Sequence, residues 1–246
     1  MYINMIENDK RRHVYRIIEL PRLFELFSTK QNVLVKPKKW QDPFENFILK
    51  AKVRHSSGEI VSYNHHERIY GQCWSLHKAS DAMWRIYSPK SNGIRIRTTV
   101  EKLTHSLASL CGSLPQATCS IGRVSYLKQA ELIKHAQNTF HEGGIAVEKL
   151  FGSLLFKRLA FKHENEVRLL YYQLNDELCE KDDLYRYEID PHNLISQIML
   201  DPRLPREAAE HLTKRIRRVT GYQGEIKRSL LYALPGELIL DARHYG

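Results

Sequence analysis

The run Phe161-Lys-His-Glu-Asn-Glu-Val-Arg-Leu-Leu-Tyr-Tyr172 begins polar and turns into an apolar, aromatic-rich strand pattern. Side chains alternate along a strand, so the spacing predicts Glu164, Glu166 and Arg168 on one face at the mouth of a buried strand. Two nearby carboxylates raise one another's pKa and a guanidinium opposes that, a combination that recurs at active sites. The competing reading is a solvated strand edge with a surface salt bridge.

Other candidates are dispersed. Arg16 lies among apolar residues of a predicted strand, 13–18, where it is either a ligand contact or the partner of a buried carboxylate. Ser75 closes a predicted strand, 69–75, and no His-Asp spacing supports it as an activated nucleophile. Asp42-Pro-Phe-Glu45 reads as a turn that could also line a cleft. His65-His66-Glu67 has no third ligand at helical spacing and reads as a solvated loop, so no metal is expected. No phosphate-cradling Gly-x-x-x-x-Gly-Lys, Gly-x-Gly-x-x-Gly, Gly-x-Ser-x-Gly or His-Glu-x-x-His occurs, which removes P-loop, Rossmann and zincin chemistry.

These residues need a scaffold, and 246 residues with 42% hydrophobic content suffice for one domain. Cys73, Cys111, Cys119 and Cys179 contain no Cys-x-x-Cys pair, so neither structural zinc nor a disulfide framework is expected. No apolar run is long enough to span a membrane and the first twelve residues lack a signal-like stretch, which predicts a cytoplasmic protein with no membrane partner. The net charge is +10, concentrated at Lys36–Lys39, Arg85–Arg97 and Lys214–Arg218. That field suits nucleic acid, with Lys38, Lys39, Lys214, Arg215 and Arg218 as phosphate contacts; a generic basic surface is the alternative.

The periodicity predicts further strands over 32–36, 93–99, 123–126, 185–189, 194–199 and 226–234. Helices are expected over 21–27, 80–87 (Ser80 as cap), 99–110 and 205–220, the last with Ala208, Ala209, Leu212 and Ile216 inward. A mostly helical stretch, 127–162, is broken at Gly143-Gly144 and leads into the glutamate strand. Without strict βαβ alternation this mixture is α+β.

Tyr15-Arg16, Asp42-Pro-Phe-Glu45, Cys73-Trp-Ser75, Met83-Trp-Arg-Ile-Tyr87 and His163-Glu-x-Glu-x-Arg168 together resemble the microbial family called domain of unknown function 2971, over roughly residues 13–235. Their order also resembles the Arg-Ser-Glu layout of ADP-ribosyltransferases, DNA- and RNA-modifying toxins among them. The resemblance implies one domain with a split, mostly antiparallel sheet flanked by helices, and NAD as substrate in its cleft. It makes Arg16 the contact to the NAD phosphates, with Tyr15, Trp74, Trp84 and Tyr87 lining the cofactor site. Trp74, Trp84 and Tyr87 would stack the nicotinamide or a base unless they are core residues. Ser75 would orient the ribose and the catalytic carboxylate, Glu166 would stabilise the cationic sugar, and Glu164 would serve the acceptor. Cys73-Trp74-Ser75 stands where that superfamily often has Ser-Thr-Ser, and Arg168 beside Glu166 would suit a structural role. A toxin or phage-defence effector, with a cognate antitoxin protein, is the biological role implied.

Two other function classes remain open: a non-catalytic nucleic-acid-binding module using Lys214–Arg218, and a metal-dependent nuclease built on Glu164, Glu166 and Asp42. The catalytic reading requires Arg16, Ser75 and Glu166 to converge on one cleft, with Glu164 nearer its opening.

Overall fold

The structure is a computed structural model; it describes residues 2–5, 7–40, 42–45, 47–62, 64–108, 118–137, 147–175, 182–234 and 236. The strands are β1 (Tyr2–Ile3), β2 (His13–Glu19), β3 (Gln31–Val35), β4 (Lys52–Arg54), β5 (Ile60–Ser62), β6 (Ile69–Ser75), β7 (Gly93–Thr99), β8 (Cys119–Arg123), β9 (Ser125–Leu127), β10 (Phe156–Arg158), β11 (Glu166–Tyr172), β12 (Leu184–Glu188), β13 (Gln197–Leu200) and β14 (Glu225–Arg228). The α-helices are α1 (Leu20–Thr29), α2 (Asp81–Tyr87), α3 (Val100–Ala108), α4 (Gln129–Gln137), α5 (Val147–Ser153), α6 (Pro191–Leu194) and α7 (Arg206–Thr220).

Ten strands form one sheet in the order β1-β8-β11-β6-β2-β7-β13-β14, with β3 joined to β6 and β12. Only β1/β8 and β13/β14 are parallel within it, so the fold is α+β with a mostly antiparallel sheet. The sheet parts in its middle. β2 pairs with β7 over seven residues, yet meets β6 only at Tyr15↔Ser75. β3 likewise touches β6 only at Val35↔Gly71.

One face carries the main core, in which Leu23 and Phe27 of α1, Leu103 and Leu107 of α3, and Ala209 and Ile216 of α7 pack on Val14, Trp74, Ile96, Val167 and Leu169. The other face is covered by α5, whose Leu150 and Phe151 meet Ile69, Leu170 and Tyr172 in a second core. β6 and β11 are apolar along most of their length because both faces are covered. Gly71 makes room on the second face: a Cβ there would lie 2.7 Å from Trp40 Cζ2 and 3.1 Å from Leu170 Cδ2.

Several sequence expectations need correction. The described part of 127–162 is mostly helical, as expected, but it does not run helical to its end: α4 ends at Gln137, α5 at Ser153, and Phe156–Arg158 forms β10, paired in parallel with β9. Tertiary pairing overrides a helical pattern there, and the Gly143-Gly144 break lies outside the described residues. A 3-10 turn, Leu159–Glu164, follows, so Glu164 is not on the glutamate strand. Asn165 adopts φ 44°, which kinks the chain before β11 begins at Glu166. The 123–126 strand is two strands, β8 and β9, meeting at Val124. Leu194 closes α6 instead of opening a strand, β14 stops at Arg228, and Ala208 of α7 is exposed. The β4/β5 hairpin, with Gly58 at φ 87°, was not expected.

Gly71→Ala should therefore push Trp40 aside and destabilise the fold by about 1–3 kcal/mol, as overpacking does; urea unfolding monitored by tryptophan fluorescence measures it. An unchanged midpoint would mean that Trp40 yields without cost.

Candidate active site

Strand register builds the site. Arg97 pairs with Tyr15, Tyr15 with Ser75, and Ser75 with Glu166, so the four residues form one transverse row across β7, β2, β6 and β11. Directly paired residues share a face, so their side chains leave the sheet on the same side. Arg168 follows Glu166 on that side, opposite Cys73.

Glu166 and Arg168 are buried, as are Lys157 of β10, Glu45 and Glu164. Lys157 Nζ lies 2.5 Å from Glu166 Oε1 and 2.9 Å from Glu45 Oε1, and also bonds Glu164 Oε2. Arg168 donates from Nε to Glu166 Oε2 and from Nη2 to Glu45 Oε2, each at 2.8 Å, and from Nη1 to the Leu154 carbonyl at 2.6 Å. The Trp40 ring covers the Arg168 guanidinium at 4.5 Å. Tyr87 Oη donates to Glu164 Oε1 at 3.2 Å from the half-exposed end of α2. Ser75 Oγ donates to the Glu164 carbonyl at 2.7 Å and accepts from His77 N at 3.0 Å, while Tyr126 Oη accepts from Glu166 N at 2.8 Å. Ser75 thus fixes the backbone between the two glutamates.

Three carboxylates facing two cations leave room for one proton, and the electrostatics assign it. Burial raises Glu164 to about 7, assisted by its hydrogen bond to Glu166 and by that group's charge, against Lys157. Burial would also raise Glu166, but the Arg168 charge, the hydrogen bond from Glu164 and Lys157 hold it well below the carboxylate range. One carboxylate stays ionised while its neighbour exchanges a proton near neutrality. This division of labour underlies acid–base chemistry in many sites.

The structure groups Glu164, Glu166, Ser75 and Tyr87, and separates them from Arg16 and Trp74. Arg16 follows Tyr15 and pairs with Ile96, so it projects from the opposite face, toward Trp74. There it borders a cavity of about 260 Å³ lined by Ile18, Leu26, Asn32, Gln72 and Trp74. Burial lowers the pKa of Arg16, and Cys73, Tyr187 and Tyr87 act against that. Burial raises the pKa of Cys73 and of Tyr87, and the Glu166 charge adds to both. The cavity floor is a closed polar network. Asn32 Nδ2 donates to Tyr187 Oη at 2.7 Å, Gln72 Nε2 to Asn32 Oδ1 at 2.7 Å, and Trp74 Nε1 to Gln72 Oε1 at 2.8 Å. Trp84 is buried under α2, and Tyr15 lies beneath the Arg95 guanidinium at 4.7 Å.

The expected basic contacts divide. Lys38 pairs with Glu67 and Asp183, and Lys39 with Asp183. Lys214, Arg215 and Arg218 are exposed on α7, Arg215 stacking on Phe24 of α1 at 5.5 Å. Because α7 packs on the main core, the sheet lies between it and the glutamates. Asp42 binds Arg158, with 2.8 Å between Oδ1 and Nη2, and stands apart from the carboxylate cluster. Sequence reasoning missed the roles of Lys157, Tyr126 and Glu45. Only Glu45 carried a signal, as the last residue of the Asp-Pro-Phe-Glu motif.

A family model described as "Protein of unknown function (DUF2971)" matches residues 83–169, which include Tyr87, Lys157, Glu164, Glu166 and Arg168. The curated proteins give no match. Among solved structures, Thermus sp. 2.9 DarT in complex with NAD+ is 10% identical, with 89% of this chain and 96% of that chain covered and a TM-score of 0.41. The same protein in complex with ADP-ribosylated ssDNA is 11% identical over 93% and 98% of the chains, TM-score 0.41; with carba-NAD+ the values are 11%, 89%, 96% and 0.39.

Glu164 has a raised pKa in the fold, so its contribution to stability is intact below the unfolded carboxylate pKa and is lost as pH rises toward about 7. Glu164→Gln, a mimic of the protonated acid, should gain stability relative to the parent between pH 5 and 8 in urea titrations, both ends set by ordinary and raised carboxylate ranges. A difference that is flat with pH would place the proton elsewhere. Lys157→Met should cost about 3–5 kcal/mol, the usual penalty for stranding buried charge.

Proposed function

We propose that this protein is an NAD-dependent ADP-ribosyltransferase with a nucleic-acid acceptor. The observation that carries the reading is Glu166: a buried carboxylate kept ionised by Arg168 and Lys157, in register with Ser75 and beside a second glutamate that exchanges its proton near pH 7. In such a transfer the bond from the ribose to nicotinamide breaks, positive charge builds on the sugar, and the acceptor loses a proton as its new bond forms. A fixed anion stabilises the first development and costs no reorganisation when the charge appears. Glu164, ionised, takes the acceptor proton; its carboxyl titrates where a general base is most effective.

Arg16 does not share the glutamate cleft as the sequence reading required; its part in this proposal is on the opposite face of the sheet. It is half-buried, and among the described residues no carboxylate lies within ion-pair distance of it. A guanidinium in that state suits a phosphate. The adjoining cavity, about 260 Å³, falls below the ~300–1,000 Å³ of typical ligand pockets. It fits one end of a dinucleotide, with Trp74 and Leu26 offering apolar surface and the phosphates at Arg16. The toxin or defence role, and a protein antitoxin, follow from the sequence resemblance and belong to this proposal.

A metal-dependent nuclease fits less well. Lys157 Nζ already occupies the point where the three carboxylates converge, and Asp42 is engaged by Arg158.

Incubation with NAD labelled in its adenylate part, together with single-stranded DNA, RNA and cellular protein, tests the reading. Label should appear on nucleic acid, and Glu166→Gln should lower the rate by at least about 10²-fold, as loss of a preorganised charge does. Arg16→Ala should mainly raise KM for NAD. Wild-type protein that labels no acceptor, or a Glu166→Gln variant at full rate, would sink the proposal.

A further inference from the structure

On the glutamate face, beside the row Arg97–Tyr15–Ser75–Glu166, stands Arg95. It pairs with Ile17, two residues along from Tyr15, so it projects toward Ser75 and not toward the main core. Arg95 is only 5% exposed, and no carboxylate among the described residues reaches it. Its guanidinium stacks on Tyr15 and donates from Nη1 to the carbonyl of Lys78, in the loop that follows β6. Its Nε is buried and has no partner. That is an unusual state for a buried guanidinium, since orphaned donors and unpaired charges are both costly.

The surroundings repeat the charge. His13, Lys78 and Arg97 lie close enough that Arg97 and Lys78, after burial, lower the proton affinity of His13. Arg97 Nε donates to Ser196 Oγ at 3.0 Å and forms no ion pair among the described residues. Glu225, the acid that feels the Arg97 charge, is engaged by Lys227 and Gln197. A cavity of about 10 Å³, lined by Tyr15, Ser75, His77, Ser80 and Arg95, has room for one water-sized group.

We infer that Arg95, with Lys78 and Arg97, is a binding site for a backbone phosphate of the nucleic acid that serves as acceptor, and that the acceptor enters along the sheet's glutamate face and not over α7. The inference rests on the proposed transfer for its meaning, but the site itself is read from charge and geometry. Three strand spacings separate the Arg97 backbone from that of Glu166, about 14 Å, so a strand held here runs toward Glu164. The basic stripe of α7 lies on the other face.

The test measures binding of a short fluorescein-labelled oligodeoxynucleotide to the full chain by anisotropy, without NAD, at two salt concentrations. The double variant Lys78→Ala, Arg97→Gln changes exposed or half-exposed groups and should fold normally; its affinity should fall about tenfold and its salt dependence flatten by about two phosphates. Arg95→Lys should weaken binding as well, because a lysine cannot keep both the loop carbonyl and the phosphate. Arg215→Ala, Arg218→Ala should bind as the parent does, and NAD affinity, measured separately, should be unchanged in all of them. Parent-like binding by the Lys78/Arg97 variant overturns the inference, as does a loss confined to the α7 variant. A fall in NAD affinity with oligonucleotide binding intact also overturns it, by giving the site to the dinucleotide. Since no arm depends on turnover, failure of the ADP-ribosylation reading would show as absent labelling with this binding pattern preserved.

Discussion

Lys157 is the point on which the glutamate face depends. A single ammonium meets Glu45, Glu164 and Glu166, which arrive from three separate segments, while Arg168 ties two of them from beneath. Buried carboxylates of this density repel one another, and in a low-dielectric interior the repulsion is not screened by solvent. Two cations and one proton balance them. The balance dictates local structure as well: β10 departs from the preceding helix to deliver Lys157, and the turn before Asn165 lowers Glu164 onto the same ammonium.

The cluster is anchored mainly by backbone order. β11 sits between β6 and β8 with continuous pairing on both edges, so Glu166 and Arg168 cannot drift. Ser75 then fixes the chain between the two glutamates through the Glu164 carbonyl. Tyr87 is the element of the cluster nearest solvent, at the last residue of a short helix whose cap, Ser80, accepts from Met83 N at 3.3 Å. Motion there would admit solvent or a ligand to Glu164 before disturbing Glu166.

The excess positive charge has several different uses. Lys36, Lys38 and Lys39 are spent against Glu67 and Asp183, bracing β3 to β12. Arg203 is bound to Asp201 and to carbonyls of α2 and the loop after it. Arg217 closes the end of α7 through the carbonyls of Tyr222 and Gly224. Those ion pairs already cancel within the net charge of +10, so the excess that a polyanion meets is carried by the cations without internal acids.

The sequence alone determined the strands and helices whose periodicity is local. β2, α1, β6, α2, β7 and α7 lie close to where hydrophobic periodicity and the Ser80 cap put them. It also singled out Glu164, Glu166 and Arg168 as a charged group at a strand mouth, since that depends on spacing over a few residues. Tertiary structure decided the rest. Whether Arg16 shares a face with Glu166 turns on a one-residue register at Tyr15↔Ser75, which no composition or motif specifies. Lys157 looked like one more polar position in a helical stretch; its burial comes from pairing between β10 and β9 and from Glu45, far more distant in sequence than any local pattern reaches. Local chemistry chooses the element, but only the closed sheet determines which charges must share a proton, because that energy depends on distances between segments remote in the chain.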